Sequence, residues 1–394
     1  MQVGYCCNVH PGTTLDEVRE NLLKYSVQVK RRVSGTEPMP IGLWFSSTAA
    51  RELSETNRRV EFRRLLDQVG LVAHTLNGFP FGDFHQPVVK HDVYQPTWAE
   101  RSRLDYTLDL IDILHDLLPN DECGTISTLP LGWPPDLNPG PDQGFFRACA
   151  NNLKQLAKRL DCLFEATGRR IMVCLEPEPG CVLDSASDIG QFFADYLCED
   201  GDPAEERVRR FLGVCHDVCH SAVVFEGQSQ AMKSYQQAKI HVGKVQISSA
   251  IELNFDDLPR DQQDSARNEL KLFAEPRYLH QTVWQRGDDR IFFEDLGKGL
   301  LAVEKWQSSN PNSPLSGALR VHFHVPIFAD RLGLLLTTQP EIQQCLRAMS
   351  DTGSQPCHFE IETYAWNVLP VPWQPSSLVE GITQELDWLK SQMC

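Results

Sequence analysis

The sequence lacks any run of about eighteen apolar residues, so no segment reads as a helix that crosses a bilayer. It has no GxGxxG dinucleotide fingerprint, no GxxxxGK[ST] phosphate loop and no GxSxG nucleophile elbow. Positive charge is scarce: 37 Lys and Arg stand against 53 Asp and Glu, a net charge of −16. A chain this acidic repels polyphosphate unless a basic patch is held apart. Its densest basic stretch, Lys30-Arg31-Arg32, falls at an expected helix end, where cations suit the helix dipole. No nucleic-acid partner is therefore expected. Glycine and proline, 25 each in 394 residues, are too few for collagen-like or low-complexity chains. The opening Met1-Gln2-Val3-Gly4-Tyr5 lacks the basic and long apolar regions of a signal peptide and reads as a first strand.

What is present is globular: 41% apolar and 23% charged residues. The 13 cysteines are odd in number and scattered. They are expected to be reduced thiols in the cytoplasm, not a disulfide framework. Cys6-Cys7 sits in an apolar strand and reads as core. Cys215 and Cys219 flank His216 and Asp217, but their CxxxC spacing is not a standard zinc pair and no second CxxC completes it.

Short apolar β-type runs alternate with longer segments of helical period. Val3–Val9 is the first strand, followed by a helix over Thr13–Lys30 with Leu15, Val18, Leu22, Tyr25 and Val29 on one face. Strands follow at Ile41–Phe45, Leu71–Leu76, Cys123–Leu131, Ile171–Leu175, Phe211–Asp217, His241–Ser248 and His358–Thr363. Helices are expected at Arg51–Val69, around Leu104–Leu118, at Phe146–Phe164, Asp188–Leu197, Ala231–Lys239, Glu341–Met349 and Leu378–Leu389. Eight β-runs alternating with helices predict parallel βα units closed into a (β/α)8 TIM barrel. The expected organisation is one barrel domain over 1–394. Residues 249–338 form a long insertion after strand seven, with strand-like runs at Tyr278–Trp284, Arg290–Phe293 and Leu319–Pro326.

In such a barrel, catalytic groups collect at the C-terminal ends of the strands. Strand five ends in Glu176, strand six in Asp217 with His220 just beyond, strand seven carries Gln246, and strand eight carries Glu362. The insertion offers His322 and His324, an HxH pair on one face of a strand. Strand side chains alternate faces, so Glu360 shares a face with Glu362. A charge facing a barrel interior needs a partner or a metal. Each residue alone could be a solvated carboxylate or a packed histidine. Their coincidence at one rim predicts a site.

The segment Phe211–His220, containing Gly213-Val214-Cys215-His216-Asp217-Val218-Cys219-His220, resembles the GVCxDxxH stretch of the xylose-isomerase-like barrels. That superfamily includes sugar phosphate isomerases and epimerases and endonuclease-IV-type nucleases. Leu175-Glu176-Pro177 and Ile361-Glu362-Thr363 resemble its metal-binding glutamates. Four further segments, Asn8–Gly12, Leu76–Pro80, Val245–Ala250 and Glu360–Trp366, resemble the EboE family of metabolite traffic proteins across nearly the whole chain. The superfamily resemblance implies a divalent metal (Mn, Mg or Zn) held by Glu176, Asp217, Gln246 and Glu362. Its members usually have His where Gln246 stands; a neutral, hard oxygen there favours Mn²⁺ or Mg²⁺. A full nuclease-like metal cluster is not expected, because the ends of strands three and four offer Asn77 and Thr128. His220, His322 and His324 are expected to form a second metal site or to grip substrate.

The isomerase branch implies that Glu176 and Glu362 exchange a proton with the carbon beside a carbonyl. Substrate-pocket candidates are His10, Asn77, Trp133, Glu360 and Trp366. Trp133, Tyr364 and Trp366 near the mouth suit a flat aromatic ligand, though each also suits packing. The long loops after strands three and seven, with Gly78 and Gly82, suit a lid. The EboE resemblance implies the alternative of a non-catalytic metabolite-binding protein with partners in the same export pathway. The acidic chain ranks an endonuclease-IV-like phosphodiesterase lowest.

Overall fold

Register and chain order give the architecture. In the computed structural model, which describes residues 2–120, 122–134, 141–199, 201–353 and 358–393, strands occur in this order. They are β1 (Gln2–Tyr5), β2 (Met39–Trp44), β3 (Leu71–Asn77), β4 (Gly124–Thr128), β5 (Ile171–Leu175), β6 (Leu212–Asp217) and β7 (Val242–Ile247). Next come β8 (Ile251–Asn254), β9 (Thr282–Arg286), β10 (Asp289–Phe293), β11 (Ala318–Val321), β12 (Arg331–Leu332) and β13 (Leu335–Thr337), and finally β14 (His358–Ile361).

Strands β1–β7 and β14 make one parallel eight-stranded sheet in the order β1-β14-β7-β6-β5-β4-β3-β2. A parallel bridge between Cys6 and Gly42 joins its two ends. Helices follow the strands, and their apolar stripes cover the sheet: Leu110, Ile111, Ile113 and Leu114 of the Arg101–Leu117 helix are all fully buried. Helices cover the outer face, and strand side chains, Lys244 and Glu360 among them, fill the inner one, so the strands are buried on both faces. The result is a (β/α)8 barrel.

Several boundaries move relative to the sequence reading. The first strand ends at Tyr5, and Cys7–Val9 turns as a short 3-10 helix. Cys7 is therefore in the turn and not in the strand. The single helix expected over Arg51–Val69 is two, Ser47–Glu52 and Thr56–Val69. Lys30, Arg31 and Arg32 occupy the last turn of the Val27–Val33 helix.

The insertion is regular. Strands β8–β13 pair as a six-stranded antiparallel sheet in the order β10-β9-β11-β8-β13-β12. Helices Arg260–Lys271 and Leu296–Ser309 accompany it. Its strand β11 stops at Val321, so His322 and His324 lie just beyond it and not within a strand. No helix among the described residues is long and apolar enough to cross a membrane.

Candidate active site

The register of the parallel sheet sets the floor of the site. Asp217 of β6 pairs with Gln246 of β7, which pairs with Glu360 of β14. Glu176 and Glu362 stand one residue past the ends of β5 and β14. Oxygens of Glu176, Asp217 and Glu362 lie within 4.8 Å of one another, and all three residues are buried.

Asp217 and Glu362 are each held through one oxygen. Asp217 caps the following helix: its Oδ1 accepts from the His220 backbone N–H at 3.0 Å and from Ser248 Oγ at 2.7 Å. Glu362 Oε1 accepts from Asn8 Nδ2 at 2.7 Å and Asn77 Nδ2 at 2.6 Å. Glu176 Oε2, Asp217 Oδ2 and both amide atoms of Gln246 are buried with no hydrogen-bond partner. Burial, then the charges of Glu362 and Asp217, pushes the Glu176 carboxyl well up. Burial, then Asp217 and Glu360, does the same for Glu362. Burial also raises Asp217, but His220, His324 and the Ser248 hydroxyl outweigh it and hold that carboxyl below its ordinary value.

Three imidazoles sit beside the carboxylates. A carbonyl oxygen only accepts, so each contact to one identifies the protonated nitrogen. His220 Nδ1 donates to Pro177 O at 2.8 Å, and His324 Nδ1 donates to Glu362 O. Gln281 spends its amide N–H groups on Tyr94 Oη and Glu178 Oε1, so its Oε1 faces His322 Nδ1 at 2.8 Å and accepts from it. All three rings therefore carry hydrogen on Nδ1 and a lone pair on Nε2. Nε2 of His220 and Nε2 of His322 face each other at 3.2 Å, and His324 Nε2 has no partner. Asp217, His220 and His324 can share one ion, as can Glu178, His220 and His322. Cys219 also lies within reach of His322 and His324. Burial lowers the His322 imidazole well below its ordinary value and takes His324 down to about 4.

A cavity opens above this floor. It is lined by Glu176, Glu362, Asn77, His220, His322 and His324, together with Asn8, Glu178 and aromatic residues described below. Four sequence candidates lie elsewhere. His10 stacks on Tyr25 at 4.7 Å and meets Tyr5 Oη at 3.1 Å, because the turn at Cys7–Val9 carries it behind the sheet. Trp133 stacks on Tyr94 at 5.1 Å, behind the cavity wall. Trp366 donates its indole N–H to Glu385 Oε2 at 3.1 Å and anchors the Leu378–Gln392 helix. Glu360 points into the barrel interior and lies 2.6 Å from Lys244 Nζ, with both side chains fully enclosed. A Cβ on Gly42 would fall 1.3 Å from Glu360 Oε1, so glycine at that position makes room for the carboxylate.

Sequence reasoning passed over Asn8, Glu178, Tyr94 and Gln281. Asn8 lies inside the expected strand Val3–Val9, which ends at Tyr5 in the structure. Glu178 had a local signal: it is two residues past Glu176 in Glu176-Pro177-Glu178-Pro179, and it lines the same cavity.

The folded chain is a (β/α)8 barrel. It superposes on an L-ribulose 3-epimerase with a TM-score of 0.50 at 10% identity, covering 100% of this chain and 95% of the other. It superposes equally, with a TM-score of 0.50 at 8% identity, on the IolI protein, whose structure holds a zinc atom; coverage is 100% and 98%. No protein-family model matches the chain, and no curated protein sequence does either. At such identities the likeness establishes the fold.

Proposed function

We propose that the chain is a metal-dependent isomerase or epimerase that moves a proton on a small hydroxy-carbonyl compound. The observation that carries this reading is the convergence of Glu176, Asp217 and Glu362 within 4.8 Å, all buried, with Glu176 and Glu362 lining the cavity. Three carboxylates cannot remain ionised out of water without a cation among them; each would cost several kcal/mol. Their free oxygens and the unpartnered Gln246 amide fit a divalent ion. The oxygen set suits Mn²⁺ or Mg²⁺. Histidines taken two at a time, His220 and His324 with Asp217 or His220 and His322 with Glu178, fit a second, nitrogen-preferring ion such as Zn²⁺.

Bound there, a divalent ion supplies Lewis-acid polarisation of a substrate carbonyl. The chain's own groups do the rest. Glu176 and Glu362 come from strands separated by β6 and β7, so they approach the cavity from different sides. One takes a proton from the carbon beside the carbonyl and the other returns it. Asn8 and Asn77 hold Glu362 by a single oxygen, which keeps its second oxygen available. The enclosed walls keep bulk water from competing for the proton. Likeness of fold to a sugar epimerase and to a zinc-holding barrel supports the reading. The deciding experiment is deuterium exchange into a panel of hydroxyketones by metal-loaded protein. Glu362→Gln is expected to reduce exchange about 10²–10⁴-fold, and no exchange by the wild type overturns the enzymatic reading.

One feature favours a second reading, a cytoplasmic metabolite carrier of the EboE type working with export partners. The loop after β3 is strapped to the insertion: Val89 and Lys90 N–H groups both donate to Arg277 O, at 2.7 and 3.0 Å. A strapped cavity suits retention of a ligand. On this reading, binding of the ligand survives Glu362→Gln.

A further inference from the structure

The cavity has two unlike halves, and the half away from the carboxylates defines a substrate class. Its volume, open mouth included, is about 520 Å³. Phe84, Tyr278 and Tyr364 form its wall, with ring centroids 5.0–5.3 Å apart. Tyr364 lies 4.6 Å from the His324 ring, so this aromatic wall meets the histidine floor directly. Val93 and Leu279 complete the apolar side.

Most polar atoms of that wall are engaged within the protein, and the one that is not, Tyr364 Oη, faces the histidine floor, 3.5 Å from His322 Nε2. Tyr278 Oη donates to Phe84 O at 3.2 Å, and Tyr94 Oη donates to Glu178 Oε1 at 2.7 Å. Lys90, the one lysine or arginine among the described residues lining the cavity, pairs with Asp295. An open-chain sugar lying here would bury hydroxyls against ring faces with nothing to bond them. A sugar phosphate would find no uncommitted cation. An aromatic or other flat ring finds offset and edge-on partners.

We propose that the ligand is an uncharged ring-bearing hydroxy-carbonyl compound, its oxygens against the Glu176–Glu362–histidine floor and its ring between Phe84, Tyr278, Tyr364 and Leu279. This rests on the hydroxy-carbonyl reading of the same floor and narrows it.

The test is calorimetric titration of Mn²⁺-loaded protein with four probes: 2-hydroxy-1-phenylethanone, dihydroxyacetone, D-fructose 6-phosphate and p-cresol. The phenyl hydroxyketone is expected to bind at least about tenfold more tightly than dihydroxyacetone, which has the same hydroxy-carbonyl pair and a further hydroxyl but no ring. Phe84→Ser and Leu279→Ser, on two separate loops, are expected to weaken the phenyl hydroxyketone more than dihydroxyacetone and so to remove that advantage. Dihydroxyacetone or fructose 6-phosphate binding as tightly as the phenyl compound overturns the inference and leaves the isomerase reading standing. Equal binding of p-cresol and the phenyl hydroxyketone overturns the hydroxy-carbonyl reading and keeps the aromatic slot. Failure of every probe overturns both.

Discussion

Asn77 donates its side-chain amide to Glu362 Oε1 at 2.6 Å, joining the end of β3 to the end of β14 across the barrel mouth. Asn8 donates to the same oxygen at 2.7 Å from the turn after β1. Two donors on one carboxylate oxygen fix the orientation of the whole group. Hydrogen bonds to a charged group are worth about 1.5–3 kcal/mol, and loss of a partner that orients a metal ligand typically costs 10–100-fold in affinity. Asn77→Ala is expected to weaken Mn²⁺ binding by about that factor and also to lower the melting temperature of the metal-free protein, because the buried Phe79 N–H loses its acceptor. Competition against a chelating dye measures it; unchanged affinity would remove Asn77 from the site's architecture.

Asp217 belongs to two ligand groups, one with Glu176 and Glu362 and one with His220 and His324. His322 shares a group with Glu178 and His220 and is absent from the all-carboxylate one. Elemental analysis of native protein is therefore expected to find two divalent ions per chain. His322→Ala should lose one, and Asp217→Asn should lower the occupancy of both. A single ion in the wild type, untouched by His322→Ala, would assign the imidazoles to substrate instead.

The barrel was legible because its strands are buried on both faces and stand out as apolar runs between helical periods. Glu176, Asp217 and Glu362 were legible because a carboxylate directly after such a run has few other reasons to be there. Depth along a strand was not legible. Glu360 and Glu362 share a face, but two residues along a strand is about 6.6 Å, which takes Glu360 from the mouth down to Lys244. The turn at Cys7–Val9 exchanges Asn8 for His10 at the cavity, and nothing local in Asn8-Val9-His10-Pro11 marks it. In the insertion, β8, β12 and β13 are 4, 2 and 3 residues long, too short for a period to register. Their pairing comes from distant partners such as Leu319 opposite Leu253. The cavity's aromatic wall is likewise assembled from three separate segments, by Phe84, Tyr278 and Tyr364.

The Lys244–Glu360 pair beneath the site gives a stability prediction. Both side chains are fully enclosed, and Ser127 Oγ lies 3.3 Å from the ammonium. Burial alone would lower the Lys244 ammonium, but Glu360 outweighs it and holds the group above its ordinary value. Lys244→Met leaves a buried carboxylate without its cation and is expected to cost about 3–5 kcal/mol. Replacing both residues by Met should recover most of that loss. Gly42→Ala drives a methyl into Glu360 Oε1 and is expected to cost about 1–3 kcal/mol of overpacking. The same change should be nearly silent in a Glu360→Ala background. Urea denaturation of these variants tests the geometry, and additive losses for Gly42 and Glu360 would contradict it.

Glu385 provides a pH dependence whose sign follows from its surroundings. It is buried in the closing helix, where Oε1 accepts from Thr363 Oγ1 and from the Ile327 N–H at 3.2 Å, and Oε2 accepts from Trp366 Nε1. Burial pushes its carboxyl from the ordinary 4.5 up to about 7, in spite of these donors. The folded state then holds a proton that the unfolded state has released between about pH 4.5 and 7. Stability from this group is complete below the lower value and is lost as pH rises through the upper one. A shift of roughly 2.5 units corresponds to about 3 kcal/mol. Glu385→Gln cannot ionise, so its melting temperature should fall less than that of the wild type between pH 5 and pH 8. The comparison of slopes is the readout, because the amide also changes the bond to Trp366 at every pH. Parallel curves for the two proteins would mean that Glu385 is already ionised at pH 5. Because Thr363 adjoins Glu362, a change in the slope should be accompanied by a change in metal affinity above pH 7, where the ionised carboxylate accepts more strongly from the Thr363 hydroxyl.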